Sequence, residues 1–85
     1  MDRKTLEIMA ERVDKARHII QRIEELNEFI YELENRGIFS INFYDSKGNI
    51  WAETKYMPLV LNIRDITIES ARKEINRLED ELTEL

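Results

Sequence analysis

NFYDSKGNIWAE, residues 42 to 53, breaks a chain that otherwise reads as charged, heptad-patterned helix. It holds one of the two glycines and the only tryptophan of the sequence. Working outward, IFSINFY (38–44) alternates and is rich in β-branched and aromatic residues, the composition and period of a strand. DSKGN (45–49) fits a type I turn followed by a glycine bulge, with Gly48 supplying the positive φ. IWAETKYM (50–57) returns as the second strand, and Pro58, which has no amide hydrogen, ends it or begins a bend. That turn predicts Phe43 opposite Trp51, Tyr44 opposite Ile50, and Ile38 near Tyr56. One hairpin face then carries Phe39, Ile41, Phe43 and Trp51. The other carries Ile38, Tyr44, Ile50 and Tyr56 around Ser40, Ala52 and Thr54.

The flanks are helical. From Thr5 to Asn35 there is neither glycine nor proline. Leu6, Met9, Val13, Ala16, Ile20 and Ile23 step by three and four. Ile19, Ile23, Leu26, Ile30 and Leu33 continue that spacing in a neighbouring register. The stripe therefore drifts around the helix and is wider than a two-stranded coiled coil needs. Asn35-Arg36-Gly37 closes the helix, with Gly37 expected as the left-handed residue after the cap. Beyond the hairpin, Leu59 to Ile63 reads either as a short third strand or as an irregular entry to the last helix. Asn62, Asp65 and Thr67 are candidate N-caps, so a start between Ile63 and Thr67 is expected. Ile68, Ala71, Ile75, Leu78, Leu82 and Leu85 then keep the helical spacing.

The expected fold is α+β: one domain over residues 1–85, with a helix at about 5–35, an antiparallel hairpin at about 38–57 and a second helix at about 64–85. At about 1.5 Å per residue the helices are roughly 45 and 30 Å long and pair antiparallel across the hairpin. A bare pair leaves one side of each stripe wet, and an isolated hairpin is marginal with free edges. Two or more copies in a helical bundle repair both defects. The expected interface residues are Ile20, Ile23, Ile30, Phe39, Phe43, Ile75, Leu78 and Leu82. The alternative is a compact monomer whose hairpin folds back on its own helices.

Composition narrows the function. At 85 residues the chain is near the size where one core is only marginally sufficient. Its charged fraction of 36% suits long exposed helices, since an average chain has about 25%. A net charge of −5 argues against duplex nucleic acid and against anionic membranes, both of which call for clustered Lys and Arg. With no cysteine, disulfides, thiolate nucleophiles and cysteine zinc sites are excluded. The charged opening MDRKTLEIMAERVDK shows no signal peptide, and no apolar run approaches the roughly 20 residues of a membrane span, so a cytoplasmic location is expected.

Catalytic and metal constellations are thin. His18 is the only histidine, and Glu25, Glu28 and Glu32, like Glu74, Asp80, Glu81 and Glu84, fall between apolar positions, where solvated faces explain them. DSKGN lacks the alternating oxygen ligands of a calcium loop. Ser40, Ser46 and Ser70 stand in strand, turn and helix contexts, none a nucleophile elbow. No enzyme, metal or cofactor is expected; a carboxylate enzyme at a subunit interface ranks last. The candidate ligand-binding set is Lys15, His18 and Arg22 on one side of the first helix, with Tyr44, Trp51 and Tyr56 on the hairpin. That patch suits phosphate, and those rings suit stacking on a base. The bland alternative is a solvated flank pairing with neighbouring Glu.

Through ARHIIQRIEELNEFIYELE, INFYDSKGNI and DITIESARKEINRLEDEL, nearly its full length, the chain resembles the small proteins common in phage and prophage genomes. The resemblance is compositional and carries over no site residue. It implies a homo-oligomeric binding protein of the host cytoplasm, acting against bacterial defence by sequestering a nucleotide signal or blocking an immune protein. The prefoldin outline is also similar, but its charged tips and second hairpin are not evident. The alternative function is a coiled-coil scaffold or assembly adaptor without a small-molecule ligand.

Overall fold

The computed structural model describes residues 2–85. Helix α1 (Arg3–Asn35) leads into strand β1 (Ile41–Tyr44), strand β2 (Ile50–Thr54) and helix α2 (Met57–Thr83), an α-β-β-α order. The particle is elongated, 61 × 28 × 17 Å, because α1 alone spans about 50 Å.

Helix α1 opens on Asp2, whose carboxylate accepts the Thr5 amide at 2.8 Å and satisfies one of the orphan donors of the first turn. It does not close on a left-handed glycine. Gly48 is the only described glycine with positive φ, and the capping residue Arg36 is extended at φ −96°. The Arg36 amide closes the end by donating to the Glu32 carbonyl at 2.9 Å, Asn35 Nδ2 donates to the Tyr31 carbonyl at 2.8 Å, and the Arg36 side chain pairs with Glu32.

The hairpin turn forms as expected, with Gly48 at φ +84°. The Gly48 amide donates to the Asp45 carbonyl at 3.0 Å, and the Asp45 amide donates to the Asn49 carbonyl at 2.8 Å. The register differs from expectation. Tyr44 does pair with Ile50, but Phe43 pairs with Ala52, Asn42 with Glu53 and Ile41 with Thr54. Trp51 is the extra residue of a bulge between those pairs, which shifts every later partner by one. Cross-strand partners share a face. Ala52 and Thr54 therefore lie with Ile41 and Phe43, not with Tyr44, and this is the more sheltered face.

Helix α2 starts earlier than expected, at Met57. Pro58 falls in its first turn, where the missing amide hydrogen costs nothing and the fixed φ already suits a helix. The Leu59 and Val60 amides both donate to the Tyr56 carbonyl at 3.0 Å. Asn62, Asp65 and Thr67 are consequently interior residues; the Thr67 hydroxyl bonds back to the Ile63 carbonyl at 2.7 Å. No third strand forms among the described residues.

The helices pack antiparallel. Ile30 of α1 clusters with Ile68, Ala71 and Ile75 of α2, with Ile23, Leu26 and Leu33 packed against them. Ile19 and Leu78 are buried as well, and Val60 in the first turn of α2 is wholly inaccessible. The Glu34–Arg72 ion pair ties the two helices at the edge of this core. Among the described residues no helix is long and apolar enough to cross a membrane.

Candidate functional site

The sequence-derived ligand set occupies two separate regions. His18 and Arg22 share a shallow dent of about 230 Å³ on α1 with Gln21 and Glu25, the i, i+3, i+4 and i+7 positions of one helical face. Lys15 is exposed one turn earlier. Tyr44, Trp51 and Tyr56 stand exposed at the hairpin end. Thirteen residues of helix, about 20 Å, separate Arg22 from the end of α1, so a single chain does not bring the two groups together. Lys15, His18 and Arg22 make no ion pair among the described residues, in contrast to Arg36, Arg64, Arg72 and Arg77.

The expected interface residues divide. Ile30, Ile75 and Leu78 are buried in the intrachain core, Ile23 packs against it and Leu82 is half-buried. The apolar surface of Ile30, Ile75 and Leu78 is already covered within one chain, and that of Ile23 and Leu82 only in part. Ile20, Phe39 and Phe43 keep theirs exposed.

The structure adds two grooves between the helices. One, of about 510 Å³, is lined by Leu26, Phe29, Ile66, Thr67, Ser70, Ala71 and Glu74. It lies beside the His18–Arg22 dent, and the Arg22 charge reaches Glu74. The other, of about 390 Å³, is bordered by Glu34, Arg64, Asp65, Ile68, Glu69 and Arg72. The sequence reading starts the apolar row of the second helix at Ile68, which leaves out Ile66 and with it the Phe29–Ile66 groove. Four-residue spacing from Ile66 to Ser70 and Glu74 is the signal that would have found its lining.

Electrostatics here are those of open surfaces. The Arg77 guanidinium, hydrogen-bonded to Glu74 at 3.0 Å, holds that carboxyl below its ordinary range, and Glu74 raises Arg77 in turn. The Asn49 amide, followed by that of Lys47, lowers Asp45. The Thr5 amide lowers Asp2. Each of these shifts favours the charged carboxylate, opposite to the shift a general acid needs near neutral pH. Among the described residues no group of three or more acidic or histidine side chains is placed to hold a metal ion.

The aromatic residues form the most distinctive surface. All seven are exposed: Phe29, Tyr31, Phe39, Phe43, Tyr44, Trp51 and Tyr56. Five of them belong to the hairpin and its flanks, where Trp51 is 69% and Phe39 72% accessible. Lys55 Nζ sits 5.4 Å from the Phe39 ring centroid, a cation–π contact that covers only part of that ring. Compared with protein-family models, curated proteins and solved structures, the chain finds no match.

Proposed function

We propose that the chain is a non-enzymatic binding protein that works as a homo-oligomer. The observation that carries this reading is the placement of every aromatic side chain at the surface of the single chain. A monomer of this size normally buries such groups, and contiguous apolar patches beyond a few hundred Å² mark interaction surfaces. Aromatic residues also dominate the energetic centres of interfaces. The free edges of the two-stranded sheet add unpaired backbone groups of the kind that recruit another strand.

The ligand side of the proposal rests on the unpaired cations. Lys15 and Arg22, with His18 between them, form a positive stripe on a chain of net charge −5, and phosphate is the ligand class such a stripe favours. In the form the phage-like resemblance implies, the oligomer sequesters a phosphate-bearing signal or blocks a protein of bacterial immunity. Its pockets then lie between subunits, where the hairpin rings of one copy approach the stripe of another.

Native mass spectrometry of gently purified protein tests the reading. A multiple of the chain mass carrying discrete extra mass supports sequestration. A bare multiple supports the protein-blocking form or a scaffold. Loss of a nucleotide adduct in Arg22→Ala and Trp51→Ala oligomers supports the site, and unchanged binding removes the site assignment.

A further inference from the structure

The two-stranded sheet has two free edges, and they are not alike. Along β2 the chain carries devices that keep an edge from pairing: the bulge at Trp51, the charges of Glu53 and Lys55, and Pro58 close behind. Along β1 it carries none of them. From Gly37 to Tyr44 there is neither charge nor proline. Residues 56–63 are the other uncharged run of that length, and α2 takes all of it but Tyr56.

The backbone of the β1 run has no partner on its outer side. The Asp45 amide donates to the Asn49 carbonyl, so Asp45 turns inward, and alternation turns Phe43 and Ile41 inward with it. The amides and carbonyls of Ser40, Asn42 and Tyr44 therefore point away from β2. Residues 37–40 make no backbone hydrogen bond among the described residues, although Ile38 and Ser40 are half-buried. The chain also has surface to give. It exposes 7122 Å², where a compact monomer of 10.2 kDa exposes about 5,300 Å². The excess, about 1,800 Å², is more than the roughly 800 Å² that each partner gives to a standard interface.

We infer that β1 pairs antiparallel with β1 of a second copy about a two-fold axis at Ile41, joining the two hairpins into one four-stranded sheet. A second copy is the occupant because the run is complementary to itself. In this register Ile41 faces Ile41, Phe39 faces Phe43, Ile38 faces Tyr44 and Ser40 faces Asn42. Aromatic and β-branched groups thus meet one another, and polar meets polar. The outward backbone groups of Ser40 and Asn42 fall opposite each other and exchange both hydrogen bonds. A slip of two residues sets Ile38 on Asn42 in one direction and Phe39 on Asp45 in the other. Charge agrees with the orientation. The run is bounded by Arg36 and Asp45, so antiparallel pairing brings opposite charges together at both ends, whereas parallel pairing brings like charges together. The contact is isologous. The inference rests on the homo-oligomeric reading above and names its contact.

Amide hydrogen exchange of the unmodified chain, with its mass in solution measured alongside, tests the contact. The amides of Ser40, Asn42 and Tyr44 should exchange slowly in the assembly and lose that protection on dilution to the single chain. Disulfide exchange between single-cysteine variants of this cysteine-free chain reads the register. A disulfide requires Cα atoms within about 7 Å, and facing residues that are not hydrogen-bonded lie about 4.5 Å apart. Ile41→Cys should link to itself, and Phe39→Cys should link to Phe43→Cys in a mixture. Phe39→Cys alone should stay at background, because its two copies stand four residues apart along the ladder, about 14 Å. Self-linking of Phe39→Cys and of Phe43→Cys would mean parallel pairing and overturn the register. Fast exchange at all three amides in an assembled protein would overturn the β1 contact while leaving homo-oligomerisation intact. A monomer at every concentration would overturn both.

Discussion

Phe43 and Trp51 are not cross-strand partners, yet their ring centroids lie 5.9 Å apart with planes inclined by 45°. The bulge at Trp51 gives Ala52 to Phe43 as its backbone partner and leaves the indole to lean across the pair. Offset aromatic contacts of this type contribute about 0.5–1.5 kcal/mol beyond area burial. Both rings remain exposed, so the contact presents a hairpin surface without filling a core.

Trp51, the only tryptophan, therefore reports on whatever covers the hairpin. If hairpins pair with each other or with a ligand in the assembly, acrylamide quenching of its fluorescence should fall as protein or ligand concentration rises. If the contact leaves the hairpin uncovered, quenching should stay at the level of a freely exposed indole. The measurement separates the two surfaces without mutation.

The two glycines should respond oppositely to alanine. Gly48→Ala places a Cβ at φ +84° and should destabilise the hairpin by about 1–2 kcal/mol, the usual cost of a left-handed L-residue. Gly37 has no positive φ and nothing within 4 Å of an added Cβ. Gly37→Ala should be neutral or stabilising by about 0.4–1 kcal/mol through the unfolded chain. Chemical denaturation of both variants checks the contrast.

Core and exposed apolar positions should separate stability from assembly. Ile75→Ala or Leu78→Ala removes a buried side chain from the helix pair and should cost about 2–5 kcal/mol. Leu6→Ser alters an exposed residue and should change the stability of the single chain by less than about 0.5 kcal/mol. It should nevertheless weaken self-association. Denaturation at two protein concentrations distinguishes these effects, because an assembled chain melts later at higher concentration.

Acid should loosen the turn. The Asp45 carboxylate accepts the Lys47 and Asn49 amides, both at 2.9 Å, and its folded pKa is lowered. A lowered folded pKa contributes stability that is present above the unfolded value of about 3.9 and is lost as pH falls through the folded one. Amide NMR shifts of Lys47 and Asn49 should hold steady from neutral pH down past that value and then move together. In Asp45→Asn this acid transition should disappear.

Element order was readable because it rests on local signals: unbroken helical spacing, an alternating aromatic run, and DSKGN with Gly48 in the turn. The start of α2 was not. Pro58 serves as a strand stop and as a first-turn helix residue with equal local logic, and burial of Val60 decides for the helix. Gly37 illustrates the same limit, since the amide of an extended Arg36 and the Asn35 side chain close α1 instead. The bulge at Trp51 depends on pairing between strands, which no single-strand period reveals. For the site, the cation row on α1 followed from spacing. The Phe29–Ile66 groove required knowing which α2 residues lie across from Leu26. The exposure of Leu6, Met9 and Val13 required knowing how far α2 extends along α1.

Sedimentation velocity of the unmodified chain over a wide concentration range tests the central claim most directly. The homo-oligomer account predicts a species of at least twice the 10.2 kDa chain mass that dissociates on dilution or in high salt. A single 10.2 kDa species at every concentration would contradict it.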